Sequence, residues 1–120
     1  MAGPYRSHVA GIGSYLPSGI ISNQDLEKLV DTNNDWIIER TGIERRHKAA
    51  PHEACSDLSY EASLRALKEA KMTPQDLELI IVATVSGDQV MPSTACVLQN
   101  KLGCKHIMSF DLSAACSGFV

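Results

Sequence analysis

Residues 79–84 read Leu-Ile-Ile-Val-Ala-Thr, a continuous apolar run in which β-branched residues predominate. Such a run is typical of a strand buried on both faces of a parallel sheet. After a polar segment, residues 92–94 (Pro-Ser-Thr) predict the start of a helix that Gly103 ends. Residues 106–112 (His-Ile-Met-Ser-Phe-Asp-Leu) predict a further core strand. The order strand, helix, strand predicts a right-handed crossover between parallel strands of an α/β protein.

Upstream of this unit, residues 56–70 have the pattern of a long helix. One face carries a row of small or apolar residues spaced four apart: Leu58, Ala62, Ala66 and Ala70. Alanines in such a row allow a helix to approach a sheet closely. Thr73 and Pro74 then predict one more helical turn, with threonine as the cap.

Residues 7–17 predict a strand that Pro17 closes. Gly11 and Gly13 suggest a dinucleotide-binding loop, but Leu16 occupies the place of its third glycine and no helix follows. We therefore expect the two glycines to permit close backbone packing within the strand.

Two short helices are predicted between residues 22 and 42. Ser22 and Asp25 form the pattern of a capping box before the first. The second spans residues 33–40, and Gly42 ends it. The charged residues 43–52 predict a loop or a hairpin.

Length and composition favour one small soluble domain of 120 residues, with a hydrophobic fraction of 44%. A net charge of -3 gives no general attraction to nucleic acid or to an anionic membrane. No apolar run approaches the roughly 20 residues that span a bilayer, and the N-terminus does not resemble a secretory signal. We expect a cytoplasmic protein that binds neither nucleic acid nor membrane.

The four cysteines, Cys55, Cys96, Cys104 and Cys116, include no CxxC pair, and no histidine stands at a zinc-finger spacing from them. We expect reduced thiols and no metal site.

Cys116 follows a predicted strand at a predicted helix N-terminus, where backbone N–H groups and the helix dipole stabilise a thiolate. Its small neighbours suit a tight turn that presents a nucleophile. From spacing alone, a small buried hydrophobic residue is the alternative interpretation, because buried free cysteines are common.

Four segments together resemble β-ketoacyl-acyl carrier protein synthase III, a family of the thiolase superfamily. They are residues 35–45 (Asp-Trp-Ile-Ile-Glu-Arg-Thr-Gly-Ile-Glu-Arg), 82–84 (Val-Ala-Thr), 92–93 (Pro-Ser) and 110–119 (Phe-Asp-Leu-Ser-Ala-Ala-Cys-Ser-Gly-Phe). The resemblance implies a thiolase-like α/β fold. Residues 1–120 would be its N-terminal βαβαβα half with a mainly parallel sheet, ending just after the nucleophile and lacking the C-terminal half.

The resemblance also implies a reaction in which Cys116 is the acyl-accepting nucleophile. A short acyl-CoA primer acylates it, and malonyl-acyl carrier protein then condenses with the acyl group to initiate fatty-acid synthesis. Coenzyme A enters as a thioester substrate, and no separate cofactor is expected. The family's catalytic histidine and asparagine lie in the C-terminal half, and none of His8, His47, His52 and His106 matches them. We therefore expect residues 1–120 alone to be inactive and to need the remainder of the polypeptide and a homodimer partner.

A coenzyme A site is suggested by Thr32, Trp36 and Arg40, which are spaced four apart and would share one face of a continuous helix. A hydroxyl, an indole and a guanidinium can hydrogen-bond and stack adenine and pair with phosphate. From spacing alone, a packing role in the core is the usual one for such a tryptophan, whereas the resemblance implies contacts with the coenzyme A adenine. The basic residues 45–48 can attract phosphates or an acidic carrier protein, or form an ordinary solvated face.

Met91 matches the family position that lines the acyl pocket across the dimer interface and that is often phenylalanine. Either a roomier primer pocket or simple interface packing would explain methionine there. Two alternatives to the synthase remain. One is a related condensing enzyme or acyltransferase of secondary metabolism. The other is a non-catalytic fragment for coenzyme A binding or dimerisation.

Overall fold

The computed structural model describes residues 6–119. The chain divides into two compact units. The small unit comprises residues 16–53, and the large unit combines the residues up to 15 with those from 54 onward.

The small unit contains two short strands and two helices. Strand β1 (Gly19–Ser22) leads into helix α1 (Asn23–Glu27), which is followed by α2 (Asn34–Thr41) and β2 (Arg45–Lys48). The strands pair antiparallel, with Gly19 opposite Lys48. The charged stretch 43–52 thus contributes a strand whose partner lies more than 20 residues upstream.

Local capping sets the ends of the two helices as the sequence predicts. The Ser22 side chain accepts from the Asp25 N–H, and the Asp25 carboxylate accepts from the Ser22 backbone, so the capping box is complete. Asn33 caps α2, and Gly42 ends it with a φ of 68°, in the left-handed region that glycine adopts without steric cost.

The large unit is built on a parallel strand pair with two helices. Its elements are α3 (Cys55–Ala70), β3 (Leu79–Ala83), α4 (Thr94–Leu102) and β4 (Met108–Leu112), with a 3₁₀ turn at Pro74–Asp76. Strands β3 and β4 are parallel, in a register that runs from Leu79 opposite Met108 to Ala83 opposite Leu112. The predicted parallel pairing across a helical connection is confirmed.

The core of the large unit lies on one face of β3. Ile80 and Val82 are buried there with Leu67 of α3 and Leu98 of α4. The alternate residues of β3 are exposed in the part of the chain that the structure describes, Ile81 among them. The prediction that this strand is buried on both faces is therefore wrong for these residues, because the helices α3 and α4 pack against a single face.

Residues 7–17 do not form the predicted strand. The Ile12 N–H donates to the Glu69 carboxylate at 2.8 Å instead of pairing with a neighbouring strand. A Cβ at Gly11 would lie 2.5 Å from the Ala66 carbonyl oxygen of α3. A Cβ at Gly13 would lie closer still to the Ala62 carbonyl oxygen of the same helix. Close backbone packing at the two glycines is confirmed, but it is made against the alanine row of α3 and not within a strand as predicted.

Candidate functional site

Cys116 lies immediately beyond β4, in a 3₁₀ turn that spans Ala115–Phe119. Cys116 is exposed in the described chain, which disagrees there with the interpretation as a buried hydrophobic residue. The described residues form only this five-residue turn, so the predicted α-helix that would begin at Cys116 is not tested and stays a prediction. The turn itself agrees with the expectation that a tight turn after a strand presents the thiol.

The backbone just before the thiol is strained. Ala115 has a φ of 46°, in the left-handed region that residues other than glycine rarely adopt. Holding a side-chain-bearing residue there costs on the order of 1–3 kcal/mol, and such strain persists only where the surrounding structure fixes it. The strain at Ala115 directs the chain sharply from β4 into the turn that carries Cys116.

The turn is held against the neighbouring strand. A Cβ at Gly118 would lie 2.8 Å from the Ala83 Cβ, so only glycine lets the turn pack against the end of β3. The Thr84 N–H donates to the Leu112 carbonyl at 3.2 Å, which continues the pairing of the two strands at that end. Cys116 thus lies at the carboxyl edge of two parallel strands, where open α/β sheets bind their ligands.

Asp111 connects this edge to helix α4. Its carboxylate accepts from the backbone N–H groups of Thr94, at 2.8 Å, and Ala95, at 2.7 Å. A negative charge at the first turn of a helix satisfies N–H groups that have no partner within the helix. This role of Asp111 was not predicted from the sequence. The signal for it was an aspartate between the apolar residues Phe110 and Leu112, which needs a polar partner.

The loop of residues 84–93 leaves β3 at the same edge and is fixed by a second aspartate. The Asp88 N–H donates to the Thr94 hydroxyl at 3.0 Å, and its carboxylate accepts from the Ser56 N–H of α3 at 2.8 Å. Thr94 is fully buried, with 0% exposure. Met91, near the end of this loop, is 84% exposed, so the structure places it on the surface of the described chain.

The other three cysteines differ from Cys116 in their surroundings. Cys104 is buried, its thiol lies 3.2 Å from the Pro74 carbonyl oxygen, and burial raises its pKa. A raised pKa disfavours the reactive thiolate. Cys55 is partly buried, with its sulfur 3.9 Å from the Thr84 hydroxyl. Cys96 is exposed on α4 beside Ser93, which makes it a natural comparison for Cys116.

The three residues proposed to bind coenzyme A lie in the small unit, but they do not share one helix face. Trp36 and Arg40 lie on α2, and the Arg40 guanidinium is 5.9 Å from the centre of the Trp36 ring. Thr32 precedes the helix, so the three residues do not share a continuous helix face. Thr32 and Trp36 instead line one shallow pocket of about 220 Å³ with Asp31 and Asn33. Trp36 is 54% exposed, which disagrees with a core packing role in the described chain.

Asn23 fixes the position of α2 from inside the small unit. It has 0% exposure, and its amide donates to the Asn34 side chain at 3.0 Å and to the Ile43 carbonyl at 2.8 Å. Its own side-chain oxygen accepts from Arg46 at 2.7 Å. His47 is also engaged within the unit, 2.6 Å from the Pro17 carbonyl. Half of the basic cluster 45–48 therefore has structural partners.

No group of histidine, cysteine and acidic residues suited to a metal ion occurs among residues 6–119. Across the same residues, no helix is both long enough and apolar enough to cross a membrane.

No family model matches the chain. The β-ketoacyl-[acyl-carrier-protein] synthase III of Desulfitobacterium hafniense DCB-2 is 52% identical over 112 residues, covering 93% of this chain and 34% of that protein. The crystal structure of 3-oxoacyl-[acyl-carrier-protein] synthase III from Aquifex aeolicus VF5 matches with a TM-score of 0.86 and 46% identity, over 92% of this chain and 35% of that one. A priming β-ketosynthase of the R1128 polyketide pathway matches with a TM-score of 0.85 and 35% identity, over 99% of this chain and 36% of that one.

These similarities confirm the thiolase-like α/β fold class. The chain spans about a third of the length of the relatives that it matches.

Proposed function

We propose that the chain belongs to the β-ketoacyl-acyl carrier protein synthase III family, over the third of its relatives' length that it matches, and that it forms part of an acyltransferase. The enzyme condenses a short acyl-CoA primer with malonyl-acyl carrier protein. The observation that carries this proposal is the exposed Cys116 thiol, held in a strained turn at the carboxyl edge of β3 and β4.

In the first half-reaction, the Cys116 thiolate attacks the thioester carbonyl of the acyl-CoA. A new carbon–sulfur bond forms to Cys116, and the coenzyme A thiolate leaves and takes up a proton. Sulfur suits this position because it is both a good nucleophile and a good leaving group.

In the second half-reaction, malonyl-acyl carrier protein loses carbon dioxide, and the electron pair of the broken bond forms an enolate. The enolate carbon attacks the acyl carbonyl, and the Cys116 thiolate leaves. Developing negative charge of this kind needs hydrogen-bond donors. We expect the histidine and asparagine of the family's C-terminal half to supply them, from the remainder of the same polypeptide.

Coenzyme A binding is the role we propose for the pocket beside α2. The half-exposed Trp36 ring offers a face on which adenine can stack, and Arg40 next to it supplies a positive charge for phosphate. Thr32 contributes a hydroxyl from the wall of the same pocket. The thioester is the substrate, and the proposal includes no separate cofactor.

Met91 is proposed to contribute to the acyl pocket at the interface of a cytoplasmic homodimer. Its exposed, flexible and apolar side chain suits contact either with a short acyl chain or with a second copy of the protein.

The experiment is a condensation assay on the intact protein with acetyl-CoA and malonyl-acyl carrier protein, in which mass spectrometry detects acetoacetyl-acyl carrier protein. Product should form with the unmodified protein and with the Cys96→Ala variant, whose cysteine is also exposed. The Cys116→Ala variant should form none. Equal product from both variants would disprove the proposed nucleophile, and no product from the unmodified protein would favour a non-catalytic role in binding or dimerisation.

A second candidate is a priming condensing enzyme of secondary metabolism. Its support is the similarity to the R1128 priming β-ketosynthase, which is 35% identical over 99% of this chain. Competition in the same assay between malonylated carrier proteins of fatty-acid and of polyketide synthesis separates the two candidates, since a preference for the polyketide carrier protein supports the second.

A further inference from the structure

The first residue of α2 is bound by two side chains of α1. Asn23 and Glu27 are spaced four apart on α1, so they lie on the same face of that helix. The Asn23 amide donates to the Asn34 side-chain oxygen at 3.0 Å, and the Glu27 carboxylate accepts from the Asn34 N–H at 2.6 Å. Helix α1 therefore holds the start of α2 through both the side chain and the backbone of one residue.

Asn23 also reaches the other end of α2. Its amide donates a second hydrogen bond to the carbonyl of Ile43, which directly follows Gly42 at the end of the helix, at 2.8 Å. Its side-chain oxygen accepts from Arg46 of β2 at 2.7 Å. Both N–H groups and the oxygen of this amide are thus used, as a polar side chain with 0% exposure requires. One buried side chain therefore connects both ends of α2 to β2.

The start of α2 borders the pocket proposed to bind coenzyme A. Asn33, which directly precedes Asn34, lines this pocket, and its side chain accepts from the Trp36 N–H at 2.8 Å. Trp36 lines the same pocket. A displacement of Asn34 would therefore move both the pocket wall and the indole ring. This step rests on the proposed function of α2 in coenzyme A binding.

We propose that Asn23 is a positioning residue for coenzyme A binding. Because it has 0% exposure in the described chain, it does not touch the ligand itself. It sets the position of α2, and with it the stacking face of Trp36 and the charge of Arg40, since a binding site works only where its contact groups are held closely in place. Arg46 takes part through its hydrogen bond to Asn23, which is a role other than the attraction of phosphates.

The test compares Asn23→Leu with the unmodified intact protein. Leucine is similar to asparagine in size and shape but makes none of the three hydrogen bonds. The probe is coenzyme A, whose Kd is measured by isothermal titration calorimetry. We expect Asn23→Leu to raise this Kd by about tenfold, since misplacing a contact group by about 1 Å costs up to about a hundredfold.

Two kinetic readouts separate positioning from general damage to the fold. The KM for acetyl-CoA should rise in Asn23→Leu with little change in kcat, the pattern that loss of binding contacts produces. Acetyl-N-acetylcysteamine lacks the adenine and phosphates of coenzyme A, so its turnover should not change.

Asn34 offers a milder variant and its rescue. Asn34→Ala removes the acceptor of one Asn23 hydrogen bond and should raise the Kd for coenzyme A by about two- to tenfold. Asn34→Asp keeps an acceptor oxygen at the same place, so its Kd should stay close to that of the unmodified protein. This pair decides the question where circular dichroism shows that Asn23→Leu does not fold.

An unchanged Kd in a folded Asn23→Leu variant, or in Asn34→Ala, would overturn the positioning role. Equal losses of turnover with acetyl-CoA and with acetyl-N-acetylcysteamine would also overturn it. Unchanged coenzyme A binding in both Trp36→Ala and Arg40→Ala would instead overturn the proposed function of α2, so the two failures are distinguishable.

Discussion

Gly118 packs so closely against Ala83 that a Cβ on the glycine would come within 2.8 Å of the alanine Cβ. Cβ atoms do not approach each other this closely, so any side chain at Gly118 pushes the Cys116 turn away from the end of β3. The position of the thiol therefore depends on a contact with a strand more than 30 residues upstream.

Gly118→Ala should reduce the rate of Cys116 acylation by acetyl-CoA, by about tenfold or more, because a small displacement of a reacting group has effects of this size or larger. Ala83→Gly in the same chain removes the opposing Cβ and should recover much of the rate. Stopped-flow measurement of coenzyme A release compares the single and double variants. Equal rates for Gly118→Ala and the unmodified protein would show that the contact does not position the thiol.

Truncation of Trp36 or Arg40 to alanine should weaken the use of acyl-CoA while leaving Cys116 reactive toward iodoacetamide. One stacking or charge-assisted contact is worth on the order of 1–3 kcal/mol, hence roughly five- to 150-fold in kcat/KM. Acetyl-N-acetylcysteamine lacks the adenine and phosphates, so its turnover should be unaffected. Glu39→Ala, on the exposed surface of the same helix, is the matched control. Normal turnover of acyl-CoA by both Trp36→Ala and Arg40→Ala would show that α2 does not bind coenzyme A.

Lys71→Gly should stabilise the protein. Lys71 ends α3 with a φ of 58°, and glycine takes this left-handed conformation without the steric cost that a lysine side chain incurs. We expect the free energy of unfolding to rise by about 1 kcal/mol, measured by urea denaturation. Lys68→Gly, inside the same helix, should lower it by about as much. A destabilised Lys71→Gly variant would contradict the assignment of strain to this residue.

The capping box of α1 makes a prediction about pH. The pKa of Asp25 is lowered from 3.8 to about 2, chiefly by the hydrogen bond from the Ser22 hydroxyl, then by that from the Ser22 N–H, with a smaller effect of Lys28. Since the pKa is lower in the folded chain, the stabilisation is fully present above about pH 4 and is lost as the pH falls toward 2.

Ser22→Ala should therefore raise the pKa of Asp25 toward its ordinary value, as measured by an NMR titration of the carboxyl carbon. Lys28→Ala should raise it less, because the lysine is the weaker influence. A larger shift in Lys28→Ala than in Ser22→Ala would reverse this order of causes.

Features with a local cause were predictable from the sequence. The side chain of Ser22 caps the start of α1, and the backbone freedom of Gly42 ends α2. The order of strand, helix and strand indicated that β3 and β4 are parallel. Cys116 is proposed as the nucleophile from its position after a strand, its small neighbours and a family resemblance.

Features that depend on contacts distant in sequence were not predictable. Residues 7–17 pack on α3 in place of a strand partner, and nothing within the segment reveals this helix as its neighbour. The N–H groups that Asp111 binds lie 16 and 17 residues upstream, so a local pattern cannot show which helix it caps. Thr32, Trp36 and Arg40 would share a face only on a continuous helix, and spacing alone does not show whether the helix includes Thr32, which precedes the cap Asn33.

The central claim, that Cys116 accepts the acyl group, is tested most directly by mapping a covalent acetyl label. The intact protein is incubated with radiolabelled acetyl-CoA, quenched in acid to preserve the thioester, and digested for peptide mass spectrometry. One acetyl group should be found on Cys116, it should be absent in Cys116→Ala, and it should persist in Cys96→Ala. Label retained undiminished in Cys116→Ala, or located on Cys96, would contradict the account.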